Sequence, residues 1–313
     1  MPGYDFIGDV HGQYGGLVRL LAELGYRESD GVYRHAERIA LFIGDLVDRG
    51  PEVRRTLRLV RRMCEAGSAL CLLGNHEYNL AAWLTRGPHG GWLREHNEKY
   101  RNQLIATLDS FKGRETELAD YREWMLGLPL YLDLREIRAV HACWDHLAVA
   151  AFWCSGGRFT PASFRTAVLE RDSPVGRAAA LLLKGRKIPL PAGLCFTDSQ
   201  GFCRTEKRVR WWEDPRGKSY EELFVLSMYN LQGDPALMRQ PALFPDGYPP
   251  FYGPDEEPVV FGHYWLQGQP AVIRDNILCT DYGAGAGQLL AAYRWSGEEK
   301  FTDKNWIWVP VTD

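Results

Sequence analysis

The sequence lacks the features that place a protein in or on a membrane. None of its apolar segments approaches the roughly 20 uninterrupted residues that a membrane-spanning helix needs, and its first residues carry neither a basic stretch nor an apolar core of a secretion signal. The net charge of −3 at pH 7 provides no excess of positive charge for non-specific binding to nucleic acid or acidic lipid. We therefore expect a cytoplasmic protein that binds neither membranes nor nucleic acid non-specifically.

The sequence also lacks the cysteine spacing of a metal-binding or disulfide-rich domain. Its seven cysteines are odd in number, and no two of them form a CxxC pair. Both observations argue against a disulfide framework and against a structural zinc site. Most of the cysteines have apolar neighbours, so we expect them to pack as small hydrophobic side chains.

Three short apolar segments in the first quarter of the chain are each followed by a polar, glycine-containing loop. The loops are residues 8–12 (GDVHG), 44–50 (GDLVDRG) and 74–77 (GNHE). Helical patterns follow the loops, and this alternation of strands with helices predicts a largely parallel sheet. Ligands bind beyond the carboxyl ends of such strands, so the three loops are expected to form one site.

Two later apolar segments, residues 137–140 and 258–261, lead into His141 and His263. Carboxylate, amide oxygen and imidazole are the ligands that hard-to-borderline divalent cations take. We predict a two-metal hydrolytic site in which Asp45 bridges the metals. The other predicted ligands are Asp9 and His11 for one metal, and Asn75, His141 and His263 for the other.

The same loops contain candidates for the remaining steps of a hydrolysis. Two cations about 3.5–4 Å apart can clamp an in-line phosphoryl displacement and generate a bridging hydroxide that attacks phosphorus. His76 is the predicted general acid, with Asp48 holding its ring, and Arg49 can bind two phosphate oxygens. A second arginine is expected, and the candidates are Arg204, Arg208, Arg210 and Arg274.

The remainder of the chain is predicted to complete a single domain over residues 1–313. Residues 88–128 are polar and helix-compatible, which suggests a helical cap insertion. Residues 155–255 read as an irregular insertion, apart from a helix near residues 178–183. Near the C-terminus we predict consecutive antiparallel strands at residues 272–273, 277–280 and 289–294, with the glycine-rich residues 281–287 as a hairpin connection.

Several tryptophans and tyrosines are candidates for stacking on a nucleobase, since aromatic side chains hold bases well. Tyr264 and Trp265 are favoured because they adjoin His263. The alternative is that these side chains belong to the core or to its rim, as most aromatic residues do.

The three loop motifs, in this order, resemble those of the phosphoprotein phosphatase branch of the calcineurin-like metallophosphoesterases. The resemblance implies an α/β metallophosphoesterase fold, a two-sheet β-sandwich flanked by helices, with a dinuclear metal site at the C-terminal ends of strands. It also implies two divalent metal ions, with Mn as the leading candidate and Fe, Zn, Mg, Co or Ni as alternatives. By this likeness the six predicted ligands, the His76–Asp48 dyad and Arg49 fall on functional positions of the family.

The later motifs depart from the serine/threonine protein phosphatase pattern. Cys143 follows Ala142 where that pattern has glycine, and Tyr264 and Trp265 follow His263. The C-terminal part is more similar to bacterial symmetrical diadenosine tetraphosphatases. We therefore expect a hydrolase of phosphate monoesters or phosphoanhydrides acting on a phosphorylated small molecule, a nucleotide or a phosphoprotein. The alternatives are an inactive scaffold of the same fold and a nuclease, and the oligomeric state stays open.

Overall fold

A computed structural model describes residues 3–197, 203–225, 230–245, 248 and 250–312. The chain divides into two compact units, the first formed by Met1–Lys184 with Glu257–Asp313 and the second by Gly185–Glu256. None of the helices within these described ranges is both long and apolar enough to cross a membrane.

Strands and short helices alternate along the first unit, as the sequence predicted. The strands of the whole chain are β1 (Gly3–Ile7), β2 (Arg27–Ser29), β3 (Val32–Arg34), β4 (Arg38–Phe42), β5 (Ala69–Cys71), β6 (Tyr131–Asp133), β7 (Arg138–Val140), β8 (Lys187–Pro189), β9 (Cys195–Thr197), β10 (Cys203–Arg204), β11 (Glu206–Arg208), β12 (Leu231–Gln232), β13 (Val259–Phe261), β14 (Ile277–Cys279), β15 (Asp281–Tyr282), β16 (Leu289–Trp295) and β17 (Trp306–Pro310). The α-helices are α1 (Tyr14–Glu23), α2 (Val53–Glu65), α3 (Asn75–Leu84), α4 (Glu98–Ser110), α5 (Glu115–Leu126), α6 (His146–Cys154), α7 (Pro161–Leu169), α8 (Pro174–Lys184) and α9 (Tyr220–Leu223).

Two mixed sheets form the centre of the first unit. In one sheet the strand order is β15-β16-β1-β4-β5, with β17 also paired to β16. Strands β1, β4 and β5 are parallel, so the three polar loops that follow them leave the sheet at the same edge. In the other sheet the order is β14-β13-β7-β6, and β7, β13 and β14 are parallel.

The two sheets share one hydrophobic core. Phe6 and Leu41 of the first sheet belong to the same buried cluster as Ala139, Val260 and Leu278 of the second. Side chains on the pleated inner faces alternate with outward ones, so both sheets bury one face against the other. Helices α1 and α2 pack on the first sheet with their apolar faces. The predicted two-sheet sandwich with flanking helices is therefore confirmed.

The predicted antiparallel arrangement near the C-terminus is wrong in part. Residues 277–279 form β14, which pairs in parallel with β13 in the second sheet, whereas β16 is antiparallel to β1 in the first sheet. Residues 272–273 form no strand. The hairpin that does form joins β15 to β16 through a 3-10 turn, Ala284–Ala286. The segments that form β14 and β16 are both apolar, so the periodicity of the sequence could not assign them to different sheets.

The segment expected to be irregular contains regular elements. Helices α7 and α8 lie in the first unit, and α8 includes the predicted helical residues 178–183. The second unit holds short strands around its own buried cluster, which includes Ile188, Val209, Tyr220, Leu223 and Phe224. The segment 88–128 contains α4 and α5. That this segment acts as a cap, and that the chain is one domain, stay predictions.

The cysteine prediction needs one correction. Cys195 and Cys203 form a disulfide that links β9 to β10 in the second unit. Cys71, Cys143 and Cys279 are buried, as expected for small hydrophobic side chains. The chain therefore has a local bridge across one hairpin, which an odd number of cysteines does not exclude.

Candidate active site

The polar loops at the carboxyl ends of the strands bring potential metal ligands into two adjoining groups. His11, Asp45 and His76 offer ligand atoms within 4.8 Å of one another, and so do Asp45, His141 and His263. Asp45 belongs to both groups, which is the arrangement required of a carboxylate that bridges two cations.

The two remaining predicted ligands border these groups. The backbone N–H of His263 donates to both carboxylate oxygens of Asp9, at 3.2 Å each. The Oδ1 atom of Asn75 lies 3.1 Å from Nε2 of His141. The structure thus brings all six predicted ligand residues to one edge of the sandwich, although they come from five separate segments of the chain.

Backbone carbonyls orient two of the histidines. Nδ1 of His11 lies 2.8 Å from the carbonyl oxygen of Val47, and Nδ1 of His141 lies 2.8 Å from that of Ile43. A carbonyl only accepts hydrogen bonds, so each Nδ1 carries the proton and each Nε2 keeps its lone pair. These Nε2 atoms lie 3.7 Å and 3.4 Å from the carboxylate oxygens of Asp45. Both histidines are thus prepared to bind a cation through Nε2.

The electrostatics of the buried site favour metal ligation. Burial, together with the neighbouring His76, lowers the pKa of His11 to about 3, so its imidazole is neutral. Burial would raise the pKa of Asp45, but its interactions with His141 and His76, together with the hydrogen bond from the backbone N–H of His76, outweigh burial and lower it. A neutral imidazole and an ionised carboxylate are the forms that bind metals. Burial and the charge of nearby carboxylates raise the pKa of Asp9 well above its ordinary value. Cations bound between these carboxylates would relieve the repulsion between their negative charges.

A histidine–carboxylate pair lies beside the ligand groups. Nδ1 of His76 is 2.6 Å from Oδ2 of Asp48, and Nε2 of His76 is 3.9 Å from Asp45. Burial would lower the pKa of His76, but Asp45 and the hydrogen bond to Asp48 outweigh burial and raise it. The side chain of Asp48 is 1% exposed. It accepts a 2.5 Å hydrogen bond from Oγ1 of Thr107, which also accepts one from the Asp48 backbone N–H.

Arg49 and the two predicted aromatic residues have different environments. Arg49 is exposed, and its guanidinium carbon lies 5.3 Å from the ring centroid of Trp265. Tyr264 is 1% exposed, and its ring packs edge-on against Phe261. A ring buried in this way presents no face to a substrate, so Tyr264 cannot stack on a nucleobase in this structure.

Sequence reasoning assigned no role to Glu77, the last residue of the GNHE loop. This buried carboxylate accepts hydrogen bonds from the backbone N–H groups of Gly74, Asp45, Leu46 and Val47, at 2.8–3.0 Å. It therefore ties the second loop to the third. Burial raises the pKa of Glu77 to about 7. A glutamate in the first turn of a helix, three residues after the glycine that precedes the helix, was the available signal.

Three further residues at the site were also missed. Thr107 lies on α4, far along the chain from the motif that it supports. Asp281 is buried and accepts hydrogen bonds from the backbone N–H groups of Trp265 and Gly283. Arg94 donates to Gln103 of α4, one helical turn before Thr107, and the charge of Asp48 acts on its guanidinium. None of the three occurs in a motif, so only the structure reveals them.

The site stores backbone strain. Nine described non-glycine residues have positive φ angles, and six of them line this site. The six are His11, Asp45, Asp48, Arg49, His263 and Trp265. Such angles cost of order 1–3 kcal/mol each and persist where the surroundings enforce them, as at functional sites.

Two glycines permit the close approach of the loops. A Cβ atom on Gly74 would lie 2.2 Å from both the backbone nitrogen and Oδ1 of Asp45. A Cβ atom on Gly262 would lie 2.2 Å from Oδ1 of Asp9. Neither contact is tolerable, so these positions require glycine for the carboxylates to reach the site.

The fold and the site together define a class of protein. The two-sheet sandwich carries carboxylate and imidazole groups around a shared aspartate, beside a histidine–aspartate pair and an exposed arginine. This is the arrangement expected of the metal-dependent phosphoesterase class. The family model for calcineurin-like phosphoesterases matches residues 4–263, and the chain belongs to this family. The predicted family is therefore confirmed.

Individual relatives are similar over part of the chain. An asymmetrical bis(5'-nucleosyl)-tetraphosphatase PrpE of Oceanobacillus iheyensis is 32% identical over 143 residues, which cover 44% of this chain and 54% of that protein. A symmetrical bis(5'-nucleosyl)-tetraphosphatase of a Shewanella species is 31% identical over 149 residues, 47% of this chain and 45% of that protein. The chain thus spans about half the length of these curated relatives.

One solved structure shares the overall fold. A mutant of a cold-active protein tyrosine phosphatase superposes with a TM-score of 0.50 and 17% sequence identity, over 94% of this chain and 77% of that one. At this level of identity the likeness concerns the fold alone.

Proposed function

We propose that this chain is a cytoplasmic dinucleoside polyphosphate hydrolase that works with two divalent cations, Mn²⁺ by preference. The observation that carries the catalytic part is the position of Asp45 in both ligand groups, which share its carboxylate. Bound cations would polarise the phosphoryl oxygens and lower the pKa of a coordinated water. The donors fit such cations, since they are carboxylate and amide oxygens with imidazole nitrogens.

The chain's own residues account for the other requirements of the reaction. His76 donates a proton to the leaving oxygen, and Asp48 fixes the ring tautomer through Nδ1. Arg49 makes no hydrogen bond or ion pair with the described part of the protein, so its planar guanidinium can bind two phosphoryl oxygens. Thr107 holds Asp48 in position, and Glu77 holds the loop that carries Asp45.

The substrate class is supported by the relatives. Both curated relatives described above are named for hydrolysis of bis(5'-nucleosyl) tetraphosphates. The two names differ in whether cleavage is asymmetrical or symmetrical. We favour symmetrical cleavage, in line with the C-terminal part of the sequence, so diadenosine tetraphosphate would yield two ADP.

A substrate panel tests this proposal. The manganese-supplemented protein is assayed on diadenosine tetraphosphate, p-nitrophenyl phosphate and a phosphoserine peptide, and nucleotide products are separated by ion-exchange chromatography. We expect the highest kcat/KM for diadenosine tetraphosphate, with ADP as product. Equal amounts of ATP and AMP would contradict symmetrical cleavage. A faster reaction of the phosphopeptide would make the protein a phosphoprotein phosphatase, and no turnover with any metal would favour an inactive scaffold.

A further inference from the structure

We propose that Trp265 is a positioning residue for Arg49: its indole ring holds the guanidinium in the orientation that binds a phosphoryl group. Asp281 in turn fixes Trp265. The proposal rests on the function proposed above, because it concerns the arginine that would bind the phosphate of the substrate. It assigns to Trp265 a role in the protein itself, in place of stacking on a nucleobase.

The first observation is the environment of the guanidinium. Its central carbon lies 5.3 Å from the ring centroid of Trp265, within the range of a cation–π interaction. Among the described residues, Arg49 has no hydrogen-bond acceptor and no acidic partner to hold it. An exposed arginine without such partners samples many rotamers, and the aromatic contact restricts the position of its guanidinium.

The second observation is the way in which Trp265 is fixed. Its backbone N–H donates a 2.8 Å hydrogen bond to Oδ2 of Asp281, which is 5% exposed. The same carboxylate accepts a hydrogen bond from Gly283 through Oδ1, at 3.1 Å. Trp265 has φ of 51°, which is rare for a bulky side chain and must be enforced by its surroundings. Asp281 supplies part of that enforcement.

The third observation is the packing of the turn that follows β15. A Cβ atom on Gly285 would lie 2.6 Å from Cδ of Arg49 and 2.5 Å from Cδ2 of His11. A Cβ atom on Gly283 would lie 2.4 Å from Nε1 of Trp265. The turn therefore touches the aliphatic part of Arg49 as well as the indole, and it confines both side chains from one side.

A direct test measures the mobility of Arg49 itself. In protein labelled with ¹⁵N-arginine, relaxation gives the order parameter of the Arg49 Nε–H group, which is assigned from its loss in Arg49→Ala. We expect a restricted group in the wild type and a mobile one, with an order parameter below about 0.6, in Trp265→Leu. Trp265→Phe retains an aromatic face and should restore much of the order. The control Trp153→Leu alters a tryptophan that is 71% exposed and should change nothing.

A double-mutant cycle tests whether Trp265 acts through Arg49. Calorimetry measures the binding of tungstate, a phosphate analogue, to the manganese-loaded protein. Trp265→Leu should weaken binding about three- to tenfold in the wild-type background. In the Arg49→Ala background the same change should have less than about a twofold effect.

Three outcomes would overturn the proposal. The first is an order parameter of Arg49 that is the same in the wild type and in Trp265→Leu. The second is an equal loss of tungstate affinity in both backgrounds, which is expected if Trp265 contacts the ligand directly. The third is the absence of any effect of Trp265→Leu on tungstate affinity. The relaxation measurement needs neither metal nor turnover, so failure of the proposed activity would be seen separately in the substrate panel.

Discussion

At the scale of single residues, the carboxylate of Asp45 has the most demanding role. It belongs to both ligand groups, and its Oδ1 also accepts a hydrogen bond from the backbone N–H of His76, at 2.9 Å. We expect Asp45→Asn to lower kcat by more than about a hundredfold and to remove most bound metal, because an amide carries no charge to bridge two cations. Mass spectrometry measures the metal content, and a turnover assay measures kcat. The control Asp255→Asn, at an exposed position, should keep both the wild-type kcat and the wild-type metal content.

His76 allows a second prediction at this scale. His76→Asn removes the proton donor but keeps all six predicted ligands, so the metal content should be unchanged while kcat falls about 10²- to 10⁴-fold. The loss should be largest for substrates with poor leaving groups, and an aryl phosphate with a good leaving group should be affected least. His146→Asn, at an exposed position, serves as the control. A uniform loss across leaving groups would contradict the assignment of His76 as general acid.

At the scale of elements, helix α4 supports the catalytic pair. Thr107 is fully buried and satisfies both the backbone N–H and one carboxylate oxygen of Asp48. Thr107→Val keeps the shape but leaves two buried polar groups unsatisfied. We expect the free energy of unfolding to fall by about 1–3 kcal/mol, and kcat to fall at constant metal content. Urea denaturation and steady-state kinetics measure these effects, with the exposed Thr116→Val as the matched control.

Helix α3 supports the ligand loops through its buried glutamate. Glu77 accepts four backbone hydrogen bonds through its two carboxyl oxygens, whereas a glutamine side chain has only one oxygen to accept them. We expect Glu77→Gln to lower the free energy of unfolding by about 3 kcal/mol, and to weaken metal binding because the Asp45 loop loses its anchor. Thermal unfolding and metal titration test this, and the exposed Glu299→Gln should match the wild type. Unchanged metal affinity would show that the loop holds its shape without Glu77.

At the scale of the whole molecule, the site links distant parts of the first unit. The predicted ligands follow β1, β4, β5, β7 and β13, so bound cations would join both sheets. A ligand that binds only the folded state stabilises it by mass action, by about 2.7 kcal/mol at a hundredfold excess over Kd. We therefore expect chelation by EDTA to lower Tm and manganese to restore it. Asp45→Asn should show no such shift. A wild-type Tm that changes neither with EDTA nor with manganese would contradict a metal centre.

The two sheets illustrate where sequence patterns stop being informative. Apolar runs identified nearly every strand that leads into the site, because a buried strand must be apolar whichever sheet it joins. The same property could not tell β14 from β16, since both are apolar and only the pairing shows that β14 joins β13 whereas β16 joins the distant β1. Strand β17 and the hairpin of β2 with β3 were missed for a related reason. They are short or partly exposed, and their pairing depends on neighbours rather than on their own residues.

What the sequence by itself determined is the chemistry of the site. Short loops after apolar strands contain Asp9, His11, Asp45 and Asn75. The residue types and their local spacing are enough to indicate metal ligands in these loops. Only the tertiary structure decided which side chains complete and orient that chemistry. Thr107, Glu77 and Asp281 act through contacts with distant backbone groups, and burial removed Tyr264 from the candidates. The physical reason is that a motif specifies the chemical type of a side chain. The partners, exposure and orientation of that side chain arise only when the chain packs.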